Sequence, residues 1–126
     1  MKLVNALLWT QGIYTLITAI WPIVHIESFM AVTGPKHDIW LVKTVGALLI
    51  PVGCCLLTYT IIQTDRRPAL ILGSLSALAF MVIDFYYSLN DVIADVYLVD
   101  GFLQVTFFGV WMYIVMKHVD TIKRQN

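Results

Sequence analysis

An all-α integral membrane protein, folded as a four-transmembrane-helix bundle, is the fold class that this sequence predicts, on three observations. Four nearly unbroken apolar stretches occupy most of the 126 residues. Hydrophobic residues make up 60% of the chain and charged ones 13%, against about 25% charged in an average soluble domain. No stretch carries the polar stripe that a soluble amphipathic helix needs. The expectation is therefore one four-helix transmembrane domain over residues 1–126, with spans at 3–20, 40–62, 69–89 and 96–116. Each comes close to or reaches the ~20 apolar residues that cross a ~30 Å hydrocarbon core as a helix.

The first span, Leu3 to Ile20, follows Met1-Lys2 in the manner of a signal peptide. Thr18-Ala19-Ile20 leads into Trp21-Pro22 with no clean small-x-small cleavage site, so an uncleaved helix is expected. It should end near Trp21-Pro22, with the Trp21 ring at the membrane interface. In the long connection Pro22 to Asp38, the apolar residues Ile23, Ile26, Phe29 and Met30 follow roughly helical spacing and Gly34-Pro35 stops them. That pattern predicts a short interfacial helix. The second span, Trp40 to Ile62, contains Pro51, which removes the bond to the Ala47 carbonyl and should kink the helix. Its adjacent Cys54 and Cys55 read as small packing residues, since neighbouring Cα atoms stand too close for an unstrained disulfide. The third span, Ala69 to Leu89, has Pro68 in its first turn and Gly73 and Ala77 as a small-xxx-small contact. Asn90-Asp91 should end it and cap the fourth, Val96 to Met116.

A formal net charge of zero hides an asymmetry. Lys2, Arg66, Arg67, Lys117, Lys123 and Arg124 lie at the termini and the second connection. The other two connections hold Lys36 with Glu27, Asp38, Asp91 and Asp95. Short Lys/Arg-rich loops stay cytoplasmic, which predicts a plasma (inner) membrane protein with both termini cytoplasmic. Lys117, His118, Lys123 and Arg124 read as a basic end suited to anionic lipid.

Ionisable residues inside a span are costly, and each is a site hypothesis by default. Lys43, Asp84 and Asp100 all fall roughly 7–9 Å below the outer surface when depth is counted at ~1.5 Å per residue. Around them, Gln11, Tyr14, Thr15 and Thr18 share one face of the first helix. Trp40 and Thr44 flank Lys43, Tyr87 and Ser88 continue the Asp84 face, and Tyr97 and Gln104 lie one turn either side of Asp100. The expected site is an outward-facing polar cavity lined by Lys43, Asp84, Asp100, Gln104, Tyr14, Thr18, Gln11, Trp40, Tyr87 and Tyr97, and closed by the His25 to Asp38 segment. A purely structural ion pair of Lys43 with one of the two acids is the competing reading. His25, Glu27, His37 and Asp38 have ligand chemistry without metal-site spacing and read as loop residues. Phosphate-binding glycine loops and nucleophile elbows are absent from the sequence, and no metal site or cofactor is assigned.

The arrangement resembles the DoxX-like group of small bacterial four-helix membrane proteins. The resemblance rests on Trp21-Pro22 at the end of the first helix, the Phe29 to Gly34 connection, Lys43-Thr44-Val45-Gly46 opening the second, and Asp100 on the fourth. It implies a bacterial inner-membrane location and leaves the chemistry open. Three functions follow as expectations. One is binding or transport of a small polar or amphipathic molecule. Another is intramembrane acid–base catalysis by Asp84 and Asp100 on a lipid or isoprenoid-like substrate. The third is an accessory subunit of a larger membrane complex. The partners expected are the bilayer, a small-molecule ligand, and a second copy or larger assembly, with no nucleic acid.

Overall fold

The computed structural model describes residues 2–62 and 65–125, with side chains as far as His118. Position 64 in the second connection and the basic side chains of Lys123 and Arg124 fall outside the described residues. Five helices follow in order: α1 (Lys2–Val24), α2 (Ile26–Thr33), α3 (Ile39–Ile61), α4 (Arg67–Leu89) and α5 (Val96–Gln125). Helices α1, α3, α4 and the Val96–His118 part of α5 are each long and apolar enough to cross a membrane.

The helix ends show where local chemistry overrode the expected boundaries. Helix α1 runs past Pro22, because the proline costs only its own bond to the Thr18 carbonyl and the next turn closes through His25 N–H to the Trp21 carbonyl, 2.9 Å. His25 then caps α2, accepting from the Ser28 amide at 3.1 Å while the Ser28 hydroxyl donates back to the His25 carbonyl. The Trp21 indole N–H donates to Ser28 Oγ at 2.8 Å, and its ring meets Phe29 edge-on at 5.5 Å. These contacts fold α2 back over the end of α1.

Pro68 does stand in the first turn of α4, where Asp65 Oδ1 accepts from the Arg67 amide at 3.0 Å. At its other end α4 closes as a Schellman motif: Val92 N–H bonds the Tyr87 carbonyl and Asp91 N–H bonds the Ser88 carbonyl. Asp91 occupies the left-handed region at φ 58°. Asn90-Asp91 thus terminates α4 but does not cap α5, which begins only at Val96.

Two tightly packed pairs make up the bundle, α1 on α3 and α4 on α5. Gly12, Gly46 and Gly53 set the first pair. A Cβ on Gly46 would stand 2.5 Å from the Ala19 carbonyl oxygen, and one on Gly53 would meet the Leu16 side chain at 2.6 Å. Backbone-to-backbone approach of this kind is how small residues drive helix contact in lipid. In the second pair Gly73 accepts the Trp111 indole face, at 2.7 Å from a would-be Cβ, and Ala77 is fully buried. The pairs touch each other more sparsely. At the end where α1 begins, they are joined by a core of Val4, Leu7, Leu8, Leu56, Phe107, Trp111 and Ile114. Large apolar side chains such as Ile17, Leu48, Leu75 and Phe102 cover the outside, as a lipid-facing surface requires. Cys54 and Cys55 lie on that exposed surface, not in a packed seam.

Candidate functional site

Toward the α2 end the two pairs part, and a cavity of about 540 Å³ opens between them. Its walls are apolar: Phe29 and Val32 from α2, Val45 and Leu49 from α3, Phe80 from α4, Val99 from α5. Its polar lining comes chiefly from α1 and α5, with Thr33 of α2 and Lys36 of the turn that follows. Asp100 is the one carboxyl group in it, with Tyr14, Thr18 and Gln104 beside it. The Tyr14 hydroxyl donates to Asp100 Oδ1 at 2.6 Å, and Gln104 Nε2 donates to the same oxygen at 3.2 Å. Thr18 spends its hydroxyl hydrogen on carbonyls of its own helix, at Tyr14 and Thr15.

Asp84 stands directly behind Asp100. It is 2% exposed, packs against Gly101 so closely that a Cβ there would lie 3.3 Å from its own Cβ, and its carboxyl group interacts with that of Asp100. Two carboxyl groups bond to one another only with a proton between them. The second oxygen, Asp84 Oδ2, has no hydrogen-bond partner, and neither does the buried Ser88 Oγ one turn along. Among the described residues no cation pairs with either acid; the ion pair present is Arg67–Asp65 at 3.6 Å, on the surface.

The cation of the cavity is Lys36, in the turn after α2. Its ammonium donates to the Thr33 carbonyl at 2.8 Å and the Gly34 carbonyl at 3.3 Å, and lies 5.2 Å from the centre of the Tyr97 ring. Burial holds its pKa below the ordinary lysine value. Lys36 therefore ties the end of α2 to the start of α5.

The expected cluster is thus partly assembled and partly corrected. Tyr14, Thr18, Tyr97, Asp100 and Gln104 line the cavity, and Asp84 backs it. Lys43 does not join them. The cavity face of α3 is Val42, Val45, Gly46 and Leu49, and Lys43 is exposed one position round from Val42, a rotation of about 100°. Near a helix end a lysine reaches water along the outside of the bundle and needs no acid. Gln11 is buried but lies deeper: its Nε2 donates to the Gly73 carbonyl at 2.8 Å and its Oε1 accepts from the Trp111 indole at 2.7 Å. That makes it a three-helix tie, not a lining residue. Trp40 and Tyr87 are on the outer surface, at 66% and 42% exposure, the latter stacked edge-on with Tyr86.

Sequence reasoning missed Trp21 and Phe80 as lining residues, and within the His25 to Asp38 segment, expected as the closure, it singled out none of Phe29, Thr33 and Lys36. The Gly34-Pro35 stop carried the missing signal, since a chain that turns back there carries Lys36 over the bundle end. Among the described residues no group of three or more His, Cys, Asp or Glu side chains gathers for a metal ion. Comparison of the chain with protein-family models, with curated proteins and with solved structures finds no match.

Proposed function

We propose that this chain is a membrane-embedded binding protein that holds a small amphipathic molecule between its two helix pairs, in the outer half of a bacterial inner membrane. The observation that carries the reading is the cavity of about 540 Å³ with apolar walls and a polar patch around Asp100. Its volume falls in the ~300–1,000 Å³ range of small-molecule sites, and mostly apolar walls with few polar groups are their usual chemistry. The clustering of Lys and Arg at the termini and at Arg66-Arg67 supports a cytoplasmic location for both ends, which turns the cavity outward. The architectural resemblance to DoxX-like proteins is consistent with that membrane. A transport role requires a second copy or a partner, because the Leu8, Leu56 and Trp111 core and the Gln11 tie fill the other half of a single bundle. Acid–base chemistry on a lipid or isoprenoid-like substrate is a second reading, favoured by the contiguous Tyr14, Asp100 and Asp84 side chains.

Native mass spectrometry from mild detergent tests binding and assembly together. The wild-type protein should retain a small molecule, and Val45→Trp, which fills the α3 wall, should lose it while keeping the same helical content. Equal occupancy in both proteins, or none in either, defeats the cavity reading. Formation of a product mass on incubation favours the enzyme.

A further inference from the structure

The electrostatics of the cavity are one-sided. Asp84 backs Asp100 closely enough for the two carboxyl groups to interact, and one proton shared between them leaves the pair with a single negative charge beside the cavity that Asp100 lines. No cation pairs with it among the described residues. The lysine at the cavity is already engaged by two carbonyls and the Tyr97 ring, an arrangement that leaves it poorly placed to receive an anion or to cross to the acids. Lys43, the other lysine near this end, is exposed on the far side of the α3 wall.

The donors around Asp100 show where an incoming group must bind. Tyr14 and Gln104 both donate to Oδ1, and neither donates to Oδ2. Asp84 Oδ2 is itself unpartnered although the residue is 2% exposed. A buried acceptor without a donor costs about 1–3 kcal/mol, and more when charged. Asp100, a carboxyl group with no paired cation among the described residues, in a cavity with apolar and aromatic walls and backed by a buried carboxyl with one unpartnered oxygen, defines a complementary ligand. It carries N–H donors and a positive charge at one end and an apolar body at the other.

We infer that the molecule held in this cavity is an apolar amine, bound through its ammonium group to Asp100 with Asp84 behind it, its body lying between Phe29, Val45, Leu49 and Phe80. This rests on the binding reading above and narrows its ligand class. An ammonium at Asp100 brings the carboxyl pair and the ligand to neutrality without moving any proton. Tyr14 and Gln104 hold the Asp100 carboxylate in place while Oδ2 is left for the ligand.

The test compares three probes that share one body: 4-phenylbutylamine, 4-phenylbutanol and 4-phenylbutanoate. Each is titrated at pH 7 into the full chain in nanodiscs of zwitterionic lipid, with empty nanodiscs as the control for partitioning. Calorimetry reads affinity, and the fluorescence of Trp21, which lines the cavity, reports occupancy against a Trp21→Phe control. The amine should bind at least about tenfold more tightly than the alcohol, and the alcohol more tightly than the acid. Asp100→Asn should bring the amine down to the affinity of the alcohol, while Lys43→Met, outside the cavity lining, keeps the amine preference. Alcohol binding equal to that of the amine, or preference for the acid, overturns the amine inference and leaves the cavity reading standing. Absence of binding by all three, with Trp21 unresponsive, overturns both. The comparison on the wild-type chain decides the matter even where Asp100→Asn does not fold.

Discussion

Tyr14 reaches across the gap between helix pairs to Asp100 with a 2.6 Å bond, one of few direct side-chain links between α1 and α5. Tyr14→Phe removes that donor and keeps the ring, so chemical unfolding in detergent should show a loss of about 1.5–3 kcal/mol, the usual worth of a hydrogen bond to a charged group. Lys43→Met should behave differently. An exposed lysine with no ion pair among the described residues contributes within about 0.5 kcal/mol. A loss comparable to that of Tyr14→Phe would restore the Lys43–carboxylate pair that its depth in the span suggested. Lys36 carries a pH signature. Its pKa is lowered by burial from the ordinary 10.5, so over the interval below 10.5 the unfolded chain binds more protons than the folded one. Stability contributed by this group therefore rises with pH through that interval as the buried ammonium discharges. Thermal unfolding of wild type against Lys36→Met should show the upward difference only in the wild type, and a downward one would mean that the carbonyls and Tyr97 outweigh desolvation.

Pairs of helices are where glycines make sharp forecasts. Gly46→Ala drives a Cβ to 2.5 Å from the Ala19 carbonyl oxygen, a backbone atom that cannot rotate aside, and the α1–α3 pair must separate. Its cost should reach at least the ~1–3 kcal/mol of an overpacked core. Gly109→Ala on α5 meets nothing within 4 Å and should be neutral or stabilising by about 0.5–1 kcal/mol. Comparable losses in the two variants would mean that helix propensity, not the seam, governs stability. Asp91, left-handed at the end of α4, suits glycine better, so Asp91→Gly should raise Tm by an increment worth less than about 1 kcal/mol. These devices explain why α1 and α3 pair at all in a solvent as apolar as they are: close backbone approach replaces the hydrophobic drive that lipid removes.

At the level of the whole molecule the division of labour is longitudinal. One half of the bundle is closed by Leu8, Leu56, Trp111 and the Gln11 bridge, and the other half is open beneath α2. Gln11→Leu should leave the buried Trp111 indole without an acceptor, a loss of about 1–3 kcal/mol, and should not alter ligand occupancy of the cavity. Topology is testable on the same scale. With Cys54 and Cys55 replaced, cysteines at the exposed His37 and Asn90 should label from outside intact cells and one at Asp65 should not. The reverse pattern would turn the cavity to the cytoplasm.

Hydropathy and length by themselves determined four spans, their approximate bounds, the short helix after Trp21-Pro22, the place of Pro68 and the small-residue contact at Gly73 and Ala77. Those features depend on composition along the chain, which a bilayer reads segment by segment. That Asp84 and Asp100 stand at one level of the bundle was equally legible, because rise per residue is fixed. Rotation about each helix axis was not. Whether a polar residue at the right depth points inward depends on which neighbour its helix packs against, and this was decided by glycine-to-backbone contacts between α1 and α3 that no single span contains. The α3 face so chosen puts Val42, Val45, Gly46 and Leu49 toward the cavity and turns Lys43 away. Only the folded chain could bring Lys36 back over the bundle end, because a turn of the path, not a periodicity, places it beside Tyr97.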